Sequence, residues 1–232
     1  MTRSILKKIP FIRRLAYRFL FWQRENEIED HGKQNLVIGE GAQLERCKIR
    51  FSGSGNRLFF APGCSVKDCD IEVIGDNHKL EIGEGAVLTQ SLLWFEDHDC
   101  TMRIGANTTM QRNGHIAVTE PGRSIDIGPD CMFSFNVDIR NGDSHSILDQ
   151  QTGKRVNWAK NIKIGKHVWL GAHTQILGGA EIGENAIIGI RSLVNGSIPA
   201  GNIAVGIPAK PVKSGFTWDS NRITDGDPFQ LQ

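Results

Sequence analysis

A bias toward one sign of charge is what this sequence most plainly lacks. Its 27 Lys and Arg against 26 Asp and Glu leave a formal net charge of +1, so no nucleic-acid partner is expected. Helical periodicity is missing too. Apolar residues at three-to-four spacing do not occur from about 36 to 212, which excludes an α-helical body. Cysteine is scarce and odd in number, with five. Cys64 and Cys131 fall on one repeated position, and Cys47 and Cys69 share another, 22 apart. They read as small apolar fillers better than as a disulfide framework or a metal site. A reducing compartment, the cytoplasm, follows. At 39% hydrophobic content, 232 residues can bury one core.

No acid occurs in the first 24 residues, which carry seven Lys or Arg. These basic residues interrupt the apolar run that includes Ile12, Leu15, Phe19, Leu20 and Trp22, so no membrane span fits. No cleavable signal is evident. Pro10 pushes Ile9 toward extended geometry, and a helix is expected from about 10 to 28 with Pro10 in its first turn. Two readings of this arm (residues 1–30) stand open. Its aromatic side lies in an anionic membrane surface, or it packs on the body or on a neighbouring subunit. The polar segment 214–232 reads as a short cap with a loose end.

What the chain does have is a period. Ile38-Gly-Glu-Gly-Ala42, Phe60-Ala-Pro-Gly-Cys64, Ile82-Gly-Glu-Gly-Ala86, Ile104-Gly-Ala-Asn-Thr108 and Ile127-Gly-Pro-Asp-Cys131 open at 38, 60, 82, 104 and 127, in steps of 22, 22, 22 and 23. The phrase returns at Ile164 and Ile182, and there it repeats every six: Ile164, Leu170, Ile176, Ile182, Ile188, Val194. Three strands of about six residues make one triangular turn of a parallel β-helix, with the aliphatic inward and a small residue at the corner. Gly, Asn and Asp supply the turns. An all-β solenoid over 31–213 is expected.

Two departures from the repeat point to a site. One column reads Ile49, Ile71, Leu93, His115, Asp138, and its companion reads Cys47, Cys69, Ser91, Asn113, Asn136. Aliphatic and small side chains give way to polar ones, which either satisfy one another or open the wall onto a site. The period then fails between Ile127 and Ile164, and the excess, residues 141–161, reads as an extruded loop containing Asp143 and His145. A loop this long in a compact solenoid is functional or disordered.

Residues 164–213 resemble the hexapeptide-repeat acyltransferases, whose fold is a left-handed parallel β-helix. Ile164-Gly-Lys-His-Val-Trp169-Leu-Gly-Ala172, Gly189-Ile-Arg-Ser-Leu-Val194 and Ala204-Val-Gly-Ile-Pro208-Ala-Lys210 carry the likeness. Within that family the chain looks most like the sugar and polysaccharide O-acetyltransferases. The resemblance implies His145 as catalytic base, Trp169 beside an acetyl-CoA thioester, and Ala172 with its backbone N–H toward the thioester oxygen. It further implies Ile190 along the pantetheine arm, Lys210 and Lys213 at the cofactor's phosphates, and His115 at the acceptor. Asn113 and Asp138, neighbours of His115 in the polar columns, join it as candidate acceptor contacts, and Asp143 is a candidate to orient His145. Coenzyme A, a saccharide acceptor and a homotrimer with its clefts between subunits are the implied partners. Imidazole suits removal of a hydroxyl proton near neutrality, and a fixed backbone N–H suits the developing oxyanion. No metal is expected. An N-acetyltransferase of an amino-sugar nucleotide, a metal-dependent hydratase using His167 and His173, and a non-catalytic scaffold are the alternatives.

Overall fold

In the computed structural model, which describes residues 25–224, the chain winds into a parallel β-helix of triangular cross-section. Three strands recur in each coil, and each pairs with the strand one coil before it. Face one starts at Glu27–Asp30 and ends at Leu193–Val194. Face two runs from Leu36–Ile38 to Ser197–Ile198, and face three from Gln43–Glu45 to Asn202–Gly206. Ala209–Ser214 then folds back antiparallel on Asn202–Gly206 and closes the C-terminal end of face three. The expected solenoid is therefore present. The arm's helix, however, falls up to Arg24 outside the described residues, and its end is corrected. Glu27–Asp30 is a strand paired with Lys48–Ser52, so the solenoid begins inside the segment assigned to the arm.

Alternation along each strand sends one side chain in and the next out. Register stacks the inward ones, so Leu44, Val66, Leu88, Met110, Phe133, Leu170 and Ile188 form one buried column under face three. Each contributes about 1.5–3 kcal/mol by leaving water. All five cysteines are free and buried, as the filler reading required. Burial pushes the Cys131 thiol up to about 11 and the Cys69 thiol up to about 12, which leaves neither as a thiolate nucleophile near neutrality.

Register also corrects the polar columns. His115 pairs with Leu92, not Leu93, and the inward column continues as Leu93, Ile116, Ile139, Ile176. The cause is one added residue at the corner between faces three and one. Leu88 to Leu93 advances five positions there, whereas Met110 to Ile116 and Phe133 to Ile139 advance six. His115 and Asp138 are consequently outward neighbours. Asn113 and Asn136 are not small core residues but the turn residues of that corner, with φ of 59° and 56°.

At the corner between faces one and two, a buried polar ladder takes over from aliphatics. Asn56 donates through its backbone N–H and its Nδ2 to Asn35 Oδ1, and His78 N–H donates to Asn56 Oδ1 at 2.8 Å. The His78 ring then spans the corner. Its Nδ1 accepts from Cys100 N–H at 3.2 Å, and its Nε2 bonds the Ile74 carbonyl at 3.1 Å. Both ring nitrogens are used by the neutral form. Burial holds the His78 pKa below the ordinary imidazole value, against the raising effect of the Ile74 carbonyl.

A proton accepted only by the unfolded chain weakens the fold as pH drops below the unfolded pKa near ~6.5, with a slope of at most about 1.4 kcal/mol per pH unit for this group. His78→Asn, whose amide oxygen can still accept from Cys100, is expected to be modestly less stable at pH 7.5 and to lose less stability between pH 6.5 and 5. Urea unfolding at several pH values measures both. Identical pH slopes for the two proteins would remove His78 from the acid response.

Candidate active site

Corners, and not strands, carry the candidate residues. Between faces three and one, each coil turns on a residue with positive φ: Asn113, Asn136, His173 and Arg191 succeed one another at 59°, 56°, 59° and 57°. One position earlier in the last two of these coils stand Ala172 and Ile190. Their neighbours are held in the ladder. Gly171 N–H donates to Ile188 O at 2.8 Å, His173 to Phe135 O at 3.1 Å, Gly189 to Ala204 O at 2.9 Å and Arg191 to Ala172 O at 2.9 Å. Among the described residues the N–H groups of Ala172 and Ile190 have no acceptor, like those of Arg112 and Phe135 at the same position of the two preceding coils. Two unclaimed donors thus lie one coil apart on the same edge, a ready arrangement for an oxyanion and for an amide of an extended ligand.

Trp169 stands outward on face three, 37% exposed, with its ring centroid 6.2 Å from that of Trp218. Trp218 belongs to the segment that follows the last strand and returns along the corner between faces two and three. It stacks on His167 at 4.2 Å, donates Nε1–H to the His167 carbonyl at 2.8 Å, and its own carbonyl lies 2.9 Å from His167 Nε2. Together they wall a cleft of about 850 Å³ whose other side is the corner residues Asn107, Asp130 and Asn185. His167 and His173 therefore occupy opposite corners of face three and do not share a cleft within one chain, the arrangement the hydratase alternative drew on.

Lys210 and Lys213 are exposed on the closing strand. Successive pairs carry the Trp169 column to Ile187, then Ile203, then Lys213. Three strand spacings of about 4.8 Å put that lysine roughly 14 Å from the indole, on the order of an extended pantetheine arm.

His115 and Asp138 are joined directly. His115 Nδ1 lies 3.1 Å from Asp138 Oδ1, and Arg140 Nη2 donates to Asp138 Oδ2 at 2.9 Å. Burial raises the Asp138 carboxyl, but the hydrogen bonds from His115 and Arg140 outweigh it and hold the pKa below the usual range. Of the two readings left open, mutual satisfaction is the one seen. Asn113 and His115 line one side of a hollow of about 340 Å³ on this edge. Asp68 and Asp70 line its other side, and basic side chains follow toward the C-terminal coils. Arg112, Arg140 and Arg191 are exposed, and Arg112 lies 6.0 Å over the Phe135 ring.

The loop 141–161 leaves the solenoid at the corner between faces one and two, the edge opposite face three. His145 is exposed on it, and among the described residues its ring has no hydrogen-bond partner. Asp143 does not orient that ring. Its Oδ2 accepts instead from Asn157 Nδ2 at 2.9 Å, because the same amide also reaches the His145 carbonyl, at 2.8 Å. Asn157 was not singled out from the sequence. One chain therefore gathers Trp169, Ala172, Ile190 and Lys213 on or beside face three, and keeps His145 on another edge.

Comparison with known proteins agrees with this architecture. The family described as bacterial transferase hexapeptide (six repeats) matches residues 161–196. A polysialic acid O-acetyltransferase of Neisseria meningitidis is 36% identical over 151 residues, 65% of this chain and 69% of that protein. The chain belongs to the hexapeptide-repeat acetyltransferases. A second polysialic acid O-acetyltransferase, from Escherichia coli O1:K1, is 35% identical over 115 residues, which cover 50% of this chain and 37% of its own length. The crystal structure of the polySia-specific acetyltransferase NeuO superposes with a TM-score of 0.78 at 28% identity, covering 89% of this transferase and 93% of that chain. The enzyme is an acyltransferase on a left-handed parallel β-helix.

Proposed function

We propose that this transferase moves an acetyl group from acetyl-CoA to a hydroxyl of an acidic polysaccharide. The pair of unclaimed N–H groups at Ala172 and Ile190, beside Trp169 and in line with Lys213, carries the reading. A pantetheine arm along that edge has an amide donor at Ile190, a donor at Ala172 for the thioester oxygen, and a cation for its phosphates. The acceptor hydroxyl attacks the thioester carbonyl while His145 takes its proton. The tetrahedral oxyanion rests on Ala172 N–H, and collapse breaks the C–S bond to expel the thiolate, which takes the proton from the imidazolium to leave as the thiol. No enzyme nucleophile is required when both substrates meet in one site. Arg112, Arg140 and Arg191 with His115 favour an acceptor that bears carboxylates. The relatives named for polysialic acid are consistent with that class.

The same reading requires assembly. His145 and Trp169 lie on different edges of one chain, and the loop exposes Ile147, Leu148, Val156 and Trp158 at 57–60%. Apolar side chains this open on an extruded loop fit a neighbouring subunit. We take the active unit to be a cyclic trimer in which each loop serves the next subunit's face three. An acetyl-CoA donor fits a cytoplasmic reaction, and the basic segment 1–24 fits attachment at an anionic membrane face. Co-sedimentation with anionic vesicles is expected for the full chain and lost without residues 1–24, and equal binding would remove that role.

His145→Ala is expected to lower kcat at least about 100-fold with the acetyl-CoA KM within roughly twofold, since a general base contributes 10²–10⁴-fold. Transfer from labelled acetyl-CoA to colominic acid, with release of label by mild alkali, measures the ester product. A variant retaining more than about a tenth of the rate ends the base assignment. Co-refolding His145→Ala with Trp169→Ala is expected to restore activity that neither has alone, and no recovery would place the complete site within one chain.

A further inference from the structure

The loop that carries His145 is braced to the solenoid by a line of polar contacts, and that line ends on His145 itself. It starts at Glu120, a buried acid at the corner between faces one and two with φ of 70°. Glu120 Oε1 pairs with Arg155 Nη2, and Glu120 Oε2 accepts from Ala159 N–H at 3.0 Å. Arg155 passes the link on. Its Nε donates to Asn157 Oδ1 at 3.2 Å and its Nη2 to the Asn157 carbonyl at 3.1 Å. The guanidinium is fixed in plane by the Trp158 ring, 4.6 Å beneath it. From Asn157, Oδ1 takes Ile147 N–H at 2.8 Å while Nδ2 donates to both the His145 carbonyl and Asp143.

Glu120 continues a column that changes from glycine to acid along the solenoid. In earlier coils the same column holds Gly53 and Gly75, where an added Cβ would lie 2.0 and 1.6 Å from a carbonyl oxygen of the next coil. Asp97 already fills this position in the coil before Glu120, its Oδ2 accepting from Glu120 N–H at 2.8 Å, and the loop follows in the coil after. At the loop's base, Asn141 and Thr119 bond reciprocally at 2.8 and 3.0 Å, and Lys160 N–H closes onto the Asn141 carbonyl at 3.1 Å. Anchored there, the chain would still be free to rotate around His145 without Asn157. A buried ion pair is costly to half-remove, and this one stabilises nothing but the loop.

We infer that Asn157, held by the Glu120–Arg155 pair, is a positioning residue for the His145 imidazole. The inference rests on the reading of His145 as base. Positioning, not binding, is the expected role, because Asn157 touches the backbone of the base and leaves its ring free.

The test is steady-state transfer from acetyl-CoA to colominic acid by Asn157→Ala, Glu120→Gln, His145→Ala and the double variant His145→Ala/Asn157→Ala, with melting temperature measured alongside. Asn157→Ala is expected to lose roughly 10- to 100-fold in kcat, with both KM values within about twofold and the solenoid's melting temperature unchanged. Glu120→Gln, which removes only the charge at the far end of the brace, moves kcat the same way by less. The double variant should be no slower than His145→Ala, because positioning a base that is absent contributes nothing. A wild-type kcat for Asn157→Ala, a loss confined to KM, or a double variant slower by the full Asn157 factor overturns the inference alone. An active His145→Ala overturns the base assignment and the positioning role with it. Should Asn157→Ala melt early, Asn157→Ser decides between the same outcomes.

Discussion

Each coil must turn three corners without leaving register with the coil beneath it, and this requirement governs much of the rest. A left-handed backbone at a corner costs a non-glycine residue about 1–2 kcal/mol, least for Asn and Asp. Between faces two and three the chain meets it with Gly41, Gly63 and Gly85, then with Asn107, Asp130, His167 and Asn185. Between faces three and one, among the described residues, no glycine takes the left-handed position. Arg46, Asp68, Gln90, Asn113, Asn136, His173 and Arg191 take the turn instead. Those side chains cannot enter the core, so the corner becomes a polar edge. The turn also swings the preceding N–H out of the ladder, which is why Ala172 and Ile190 have donors to spare. Backbone geometry and candidate chemistry thus have one origin.

The period, the triangular coil and the extruded loop were legible because they are written in inward aliphatics, and inward positions tolerate little else. Cysteine as filler was legible for the same reason. What misled was a single added residue. From the fourth coil the corner before face one lengthens from five positions to six, and a column read at constant spacing slips from Leu93 to His115 where the fold continues with Ile116. A one-residue slip exchanges inside for outside. The helix expected to about residue 28 overlaps Glu27–Asp30 because the sequence before it carries no repeat phrase, and pairing with Lys48–Ser52 makes that segment a strand. The brace through Arg155 and Asn157 lies in the loop, where no repeat constrains identity. Glu120 gives no sign of it, because its column, begun by Gly53 and Gly75, already turns acidic at Asp97.

Charge is arranged unevenly over the three edges, although it sums to almost nothing. On face two Arg103 bridges Glu81 at 3.1 Å and Asp126 at 2.7 Å, one coil to either side. Arg46 and Asp68 do the same at the N-terminal end of the edge before face one. Exposed pairs of this kind contribute about 0–1 kcal/mol each, and their larger effect is to cancel local potential. Farther along that edge the cancellation stops. Among the described residues Arg112 and Arg191 have no carboxylate partner, and Asp138 is shared by Arg140 and His115. A net charge of +1 therefore conceals a confined cationic edge beside the two free N–H groups.

The separation of His145 from that edge has a chemical consequence of its own. A thioester held along Ala172 and Ile190 is activated by the donor on its oxygen whether or not an acceptor is present. A base in the same chain and on the same edge would activate water as readily as a sugar hydroxyl. Here the loop springs from the corner opposite face three, so a lone chain offers the groove without the imidazole. In the proposed assembly the neighbouring subunit would also cover Ile147, Leu148 and Trp158, which are exposed in the single chain, and so remove water from around the ring. In the proposed trimer, assembly and desolvation would occur in one step, with the brace to Glu120 setting where in that interface the proposed base stands.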